Sequence, residues 1–406
     1  MKCTKKEVYI SDVEKEIHKF EQEAPSKNSS NTFVRVKKAL LDYDLRLDSI
    51  KLDLEISPKG LNKFEPLNDS NLYVSLREQG IKISKSDFRE ILKSDFVPKV
   101  NPIDNYFKQL KSYKPEEPDY IDKLANFVQA ENQGEFNKQF KKHLVRTVKC
   151  ALDDDYFNKQ AFILVQAGQN TGKTTFCRFL TPPTLKDYFA EDITTDKDGL
   201  ILLAKNFIIN LDELSTLHKA EINALKSYFS KTSINVRLPY EAKNSNIVRR
   251  CSFIGSTNLG QFLSDETGSV RWLCFQINSI NWEYKLSINI DDVWRQAFYL
   301  YQSQFPCDLS QKEIHENEIR NSQFQMLSVE DELIHKYLDA PNSTNDHQKE
   351  FLQASEITTY LKVNSGISKI NHVQMGKVLS KYYQRDKRVK NGIQVYGYWV
   401  VKSLNF

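Results

Sequence analysis

AFILVQAGQNTGKTT, residues 161–175, is an apolar run that breaks into a glycine-bearing loop ending in Gly-Lys-Thr. Each part has a physical use for a nucleoside triphosphate. The strand, Ala161 to Val165, anchors the loop, and Gly168 and Gly172 let backbone N–H groups turn toward phosphates. A helix starting near Lys173 presents its positive end to the same anion. Lys173 is placed to reach the β- and γ-phosphates, and the Thr174 hydroxyl to ligate Mg²⁺. Ala167, Gly168, Gln169, Asn170, Thr171, Gly172, Lys173, Thr174 and Thr175 are therefore the expected cradle for ATP with Mg²⁺. The pattern usually opens on Gly where this chain has Ala167, a change that matters only if φ is positive there. Phe176, Phe179 and Leu180 give the following helix an apolar face.

The stretches downstream add the groups that hydrolysis needs. About 40 residues beyond Lys173, FIINLDEL (207–214) is an apolar strand ending in Asp212-Glu213. Asp212 is expected to hold Mg²⁺ through water, and Glu213 to orient and deprotonate the attacking water. RRCSFIGSTN (249–258) is a second buried strand, and its terminal Asn258 can hold the lytic water or sense the γ-phosphate. Arg271 follows Thr267-Gly268 and is the candidate to reach a neighbouring subunit's γ-phosphate, with Arg249 and Arg250 as rivals. Between these, SINVRLPY and NIVRRCSFI are expected to be two strands joined by the polar tip EAKNSN. There Tyr240 and Lys243 can touch a phosphate backbone, a solvated loop being the plainer alternative. A kinase or small-molecule transferase would leave Asn258 and Arg271 without a role.

At 406 residues the chain is long enough for two or three domains, and 40% hydrophobic with 27% charged residues is a globular composition. No apolar run approaches the roughly 18 residues of a membrane span, and MKCTKKEVYISDVEK lacks a signal core. A soluble, cytoplasmic protein is expected. The six cysteines are scattered without a CxxC pair and are expected to be small buried hydrophobes. A net charge of +4 permits a polyanionic partner without requiring one.

Four regions are expected. Residues 1–31 hold an amphipathic helix at 10–24, with Ser11 and Glu14 as a capping box, and a polar linker. Residues 32–115 form an α+β region. In it LRLDSIKLDLEI (45–56) alternates as a strand pair, helices lie near 71–79 and 85–94, and Pro102 opens another. Asp48 and Asp53, with Lys51 between them, are expected on solvated strand edges. Residues 116–340 form the ATPase domain, entered through helices at about 119–130 and 135–151. After the polar PNSTNDHQKE (341–350), residues 351–406 run helix, helix, β-hairpin, the order of a winged-helix module. Ser355 and Asn371 are the expected caps and Lys390-Asn391-Gly392 the turn. Lys387, Arg388 and Lys390 are expected on DNA, and most of Tyr382, Tyr383, Tyr396, Tyr398 and Trp399 in a small core.

GQNTGKT, INLDEL, the basic hairpin and STN, packed within about 90 residues, resemble the compact motor of superfamily 3 helicases. The resemblance is closer to the virulence-associated protein E family of phages and genomic islands. It is carried by Arg237, Pro239 and Tyr240, then Arg250, then Phe253-Ile254-Gly255-Ser256-Thr257-Asn258. Phe262-Leu263, Asp265, Thr267, Gly268 and Arg271 continue it, and YDLRLDSIKLDLE and NPIDNYFKQL extend it upstream, so that it covers about residues 35–335. It implies a P-loop AAA+ ATPase core with a mainly helical N-terminal region, a possible collar for assembly, in a homo-oligomer, a hexamer, with single-stranded DNA in the ring. Helicase or translocase action in the replication of a mobile element would follow, with the tail on duplex origin DNA. Two residues depart from the pattern: Val270 replaces the first of two arginines, and Glu241 the Gly after Tyr240. The region before residue 100 lacks a primase's carboxylates, so priming would fall to another chain. Two alternatives stay open: an ATP-dependent loader that does not unwind, and a DNA-binding phage-interference protein.

Overall fold

A computed structural model describes residues 30–61, 63–212, 214, 219–237, 243–263, 269–342, 345–390 and 392–403. The helix expected at 10–24, Glu213, Tyr240, the Thr267-Gly268 pair and Asn391 lie outside them. The chain is a mixed α/β protein that divides into two compact units. One runs to Leu259 and resumes over Val270–Glu318, and the other comprises 260–269 and the chain from Ile319 onward.

The first unit begins with α1 (Ser30–Leu40) and the hairpin β1 (Tyr43–Asp48) and β2 (Asp53–Pro58), paired so that Leu47 faces Leu54. β3 (Glu65–Pro66), α2 (Asp69–Glu78), α3 (Lys85–Lys93) and β4 (Lys99–Val100) complete a sheet of order β3-β2-β1-β4. Alternation along 45–56 made the strand pair legible. Asp48, however, is fully buried. Its carboxylate accepts from the Ile50 N–H at 2.8 Å and the Tyr188 hydroxyl at 2.5 Å, so it ties the turn to the next layer instead of meeting water. α4 (Pro102–Gln109) starts at its proline, with Asn101 accepting from the Ile103 and Asp104 N–H groups.

α5 is Tyr120–Ala125, shorter than the helix expected to 130. Residues Val128–Ala130 instead form β5, an antiparallel edge strand, because the neighbouring strand offers ladder partners such as Ser279 opposite Gln129. α6 (Gln133–Leu152) buries Phe136, Phe140, Leu144 and Val148 along one face. Phe136 and Phe140 meet the ring of Phe162 at 5.5 and 5.6 Å, and each buried ring contributes on the order of 2 kcal/mol.

The central sheet contains β6 (Ala161–Val165), then, beyond α7 (Lys173–Phe179), β7 (Phe189–Glu191) and, after α8 (Lys197–Lys205), β8 (Ile208–Leu211). α9 (Lys219–Phe229) leads to the hairpin β9 (Ser233–Val236) and β10 (Ser245–Val248), followed by β11 (Ser252–Thr257) and β12 (Trp272–Ile280). Its order is β5-β12-β6-β11-β8-β7, parallel from β12 to β7. Buried on both faces, AFILV and IINL read as continuous apolar runs, not alternating ones. The parallel strands bring the carboxyl ends of β6, β8 and β11 to one edge. α10 (Tyr284–Ser287), α11 (Ile290–Gln302) and α12 (Gln311–Ser322) follow, and Trp294 closes the core by donating to the Leu180 carbonyl at 2.8 Å.

The second unit packs α13 (Val329–Tyr337), α14 (Ala354–Ser365) and α15 (His372–Tyr382) around Ile357, Leu361, Met375, Leu379 and Val400. Its sheet orders β13 (Leu338–Asp339), β16 (Ile393–Lys402) and β14 (Glu350–Leu352), with β15 (Arg385–Lys390) also on β16. Asn371 caps α15 as expected. Ser355 does not cap α14: it lies inside the first turn, which starts at Gln353, whose N–H donates to the Glu356 carboxylate at 2.7 Å.

Candidate functional site

The loop after β6 owes its shape to two glycines with different reasons. A Cβ on Gly168 would lie 2.8 Å from the Thr171 methyl, so a side chain there would have to push that threonine aside. Gly172 has φ +91°, open to glycine and strained for other residues, and caps α7. Ala167 is absent from the positive-φ residues, so its replacement of the usual Gly carries no backbone strain. Asn170 takes φ +56° in that loop, a conformation Asn tolerates well.

Lys173 is 6% exposed and its ammonium is folded into the loop. It donates to the Gln166 carbonyl at 3.1 Å, the Gly168 carbonyl at 2.8 Å and the Thr171 hydroxyl at 3.0 Å. Burial pulls its pKa below the ordinary lysine value, while the nearby Asp212 charge opposes the shift. The Thr174 hydroxyl meets both Asp212 carboxylate oxygens, at 2.9 and 3.1 Å. The Ser256 hydroxyl donates to the same carboxylate at 2.8 Å.

These groups line one cleft of about 570 Å³, bounded by residues 169–175, Arg178, Asp212, Ser256, Thr257, Asn258 and Trp282. Of the expected residues, Gln169 to Thr175, Asp212 and Asn258 are thus brought together. Ala167 and Gly168 stand exposed at the start of the loop. Sequence reasoning missed Ser256, Arg178 and Trp282. Ser256 was legible in principle: it is a hydroxyl near the polar end of the same buried strand that leads to Asn258. Arg178 pairs with Glu191 of β7, its Nη2 lying 2.9 Å from the carboxylate.

The three arginines separate cleanly. Arg249 is fully buried and donates to the carbonyls of Phe229 and Asn158, each at 2.8 Å. Arg250 donates to the Ala151 carbonyl and pairs with Asp154 at 2.5 Å. Both are engaged by groups of their own chain. Arg271 is half-exposed, with Nε 3.3 Å from the Ser230 hydroxyl. It precedes β12, whose Trp272 pairs with Ala161 at the start of β6. The five residues of β6, about 3.3 Å each, therefore separate it from its own cleft. Lys243 is exposed between β9 and β10. In the second unit Lys387 and Arg388 are exposed on β15, the strand that Lys390 ends.

Chemically, the cleft suits an anion held with a hard divalent cation. A buried ammonium and a glycine-shaped loop face a carboxylate and two hydroxyls. Mg²⁺ keeps several waters and takes few protein oxygens, which Thr174 and Asp212 can supply. No cluster of three or more His, Cys, Asp or Glu occurs among the described residues, and none is needed for such an ion. Also among the described residues, no helix is long and apolar enough to cross a membrane.

A mixed α/β chain with a glycine loop, a strand-end aspartate and a polar strand end around one cleft defines the class. The chain belongs to the virulence-associated protein E-like family, whose domain profile matches residues 110–326. No curated protein matches it in sequence. Among solved structures it is similar to the apo structure of the NrS-1 C-terminal region (residues 305–718 of that protein). That match has 14% identity and a TM-score of 0.48, covering 91% of this chain and 98% of the other. An A-form apo structure of the same region matches at 15% identity and TM-score 0.48, covering 91% and 99%.

Proposed function

We propose that the protein is a P-loop ATPase of the AAA+ type that acts on DNA, as a helicase or translocase, in the replication of a phage or mobile element. The observation that carries it is the convergence of Thr174 and Ser256 on Asp212, beside a buried lysine at the carboxyl edge of a parallel sheet. Bound ATP with Mg²⁺ would supply the phosphoanhydride whose cleavage drives the cycle. Lys173 exchanges its carbonyl contacts for phosphate oxygens. Thr174 and Asp212 hold the cation, and Ser256 fixes the carboxylate. Asn258 positions water and Glu213 takes its proton. Arg271, remote from its own cleft, serves a neighbouring subunit's nucleotide, which requires a ring; a hexamer is the proposed form. The second unit acts as a winged helix on duplex DNA, single-stranded DNA occupies the ring, and a separate chain primes. Support for a DNA role comes from membership of the virulence-associated protein E-like family.

The test is ATP hydrolysis by the purified chain with and without single-stranded DNA, each mixture sedimented. DNA-stimulated turnover in a ring-sized assembly is expected. Lys173→Ala should weaken ATP binding at least about thirty-fold, the cost of losing a buried charge partner. Glu213→Gln should bind ATP and stop turning over. Slow, DNA-indifferent hydrolysis by a monomer would overturn the motor, and normal turnover by Glu213→Gln would overturn the base.

A further inference from the structure

We propose that Trp282 is the base platform of the cleft, stacking the purine of a nucleoside triphosphate whose phosphates lie in the 168–175 loop. This rests on the nucleotide site proposed above and assigns its other end. In the sheet, β6 is flanked by β11 on one side and β12 on the other. The groups suited to phosphate and cation, Asp212, Ser256 and Asn258, come from the ends of β8 and β11. Trp282 follows β12 on the opposite flank, yet lines the same cleft. The cleft is therefore hydrophilic at one end and aromatic at the other, with the loop between. A triphosphate whose terminal phosphate sits at the Asp212 end carries its ribose and base toward Trp282.

The ring lies directly against the loop: a Cβ on Gly172 would come within 2.7 Å of Trp282 Cζ2 and 2.9 Å of Cη2. It is 46% exposed, whereas Trp272 and Trp294 are 1% and 0% exposed in the core. That exposure does not come from a loose segment. The Asn281 N–H donates to the Phe127 carbonyl at 2.8 Å, and the Glu283 N–H to the Asn281 side chain at 3.0 Å. Next along the chain, Tyr284 is fully buried against Phe179, ring centroids 4.8 Å apart. Lys285 Nζ, 4.5 Å from the indole centroid, helps to hold the ring. A rigidly presented, half-exposed indole at the end of a phosphate cleft has the chemistry of a stacking surface.

The test compares binding of Mg·ATP and of magnesium tripolyphosphate, which has no base, by calorimetry on the full chain. Wild type should bind ATP more tightly than tripolyphosphate and show quenched tryptophan emission with ATP alone. Trp282→Ala should lose about tenfold or more in ATP affinity. Its tripolyphosphate affinity should not change, and Trp282→Phe should restore most of the loss without the quench. Equal losses for both ligands would make Trp282 a prop for Gly172 and overturn the assignment, as would unchanged ATP affinity in Trp282→Ala. A wild type that binds neither ligand would overturn the nucleotide site itself, and this platform with it.

Discussion

The carboxyl edge of the central sheet and the β15–β16 hairpin both carry charged residues at a turn, and the fold treats those charges in opposite ways. At the sheet edge, residues about 40 positions apart converge because β6, β8 and β11 run parallel. Thr174 and Ser256 meet on Asp212 while Lys173 folds back onto loop carbonyls, all contacts that a ligand can replace. In the hairpin, cations lie on the protein's own rings. The Arg388 guanidinium is 4.3 Å from the centroid of Trp399, and that of Arg385 is 4.6 Å from Tyr396. The Trp399 indole N–H in turn donates to Asp386 at 3.0 Å. A charge held by exchangeable neighbours can serve function, whereas in this hairpin Arg385 and Arg388 are packed on rings of the same sheet and belong to the fold.

The largest effect that can break this contrast lies at Asp212. If its hydroxyl partners are placeholders for a cation, Asp212→Ala should lower ATP hydrolysis at least about a hundredfold, comparable to losing a preorganised catalytic group. Ser256→Ala leaves the ligand in place and removes only its support. It should raise the Mg²⁺ concentration needed for half-maximal turnover about tenfold, the usual cost of an outer partner. A magnesium titration of both variants decides it. An unchanged requirement in Ser256→Ala would mean that the serine contact belongs to the fold, as in the hairpin.

Glu313 sharpens the other side, because it is a charge the fold fully engages. It is 6% exposed and accepts from Lys142 at 2.8 Å and Lys138 at 2.9 Å, and from the Ser310 N–H at 2.8 Å. Burial alone would raise its pKa, but Lys142, Ser310 and Lys138 together hold it well below the usual carboxylate range. A depressed folded-state pKa means stability that is complete above the unfolded value, about 4.3, and lost as pH falls toward the folded one. Glu313→Gln should therefore cost about 3 kcal/mol at pH 7. The gap to wild type should narrow below about pH 4. Urea melts at the two pH values measure both, and a gap independent of pH would remove the charge from the explanation.

How much was legible follows from the same contrast. The loop, β6, β8 and β11 were readable because parallel strands buried on both faces are apolar throughout and end abruptly in polar residues. The cap at Asn371, the helix start at Pro102 and the strand pair at 45–56 were readable because each is local. What failed depended on distant partners. Asp48 reads as a strand-edge carboxylate until Tyr188, from another part of the chain, donates to it. Val128–Ala130 continues a helix until β12 offers an edge. Arg249 has the composition of an arginine finger, and only the carbonyls it meets in three dimensions reveal a structural role. Trp282 carries no motif at all, since its meaning comes from lying against Gly172.

The smallest expected effects separate two neighbours on β15. Arg388 lies over Trp399, so Arg388→Ala should cost the second unit about 0.5–1 kcal/mol, the worth of an exposed cation–π contact. Lys387, one position along on the opposite face of the strand, is exposed and has no ring contact among those described. If the hairpin binds a duplex through phosphate contacts, Lys387→Glu should leave thermal stability unchanged. It should weaken binding alike across sequences and lower the slope of log K against log salt by about 1. Arg388→Ala, in contrast, should move the melt first and binding second. Thermal melts and salt-dependent duplex binding on the two variants make the comparison. Should Arg388→Ala abolish binding with no change in the melt, the stacked arginine would be a recognition residue, and engagement by an aromatic would no longer mark a charge as belonging to the fold.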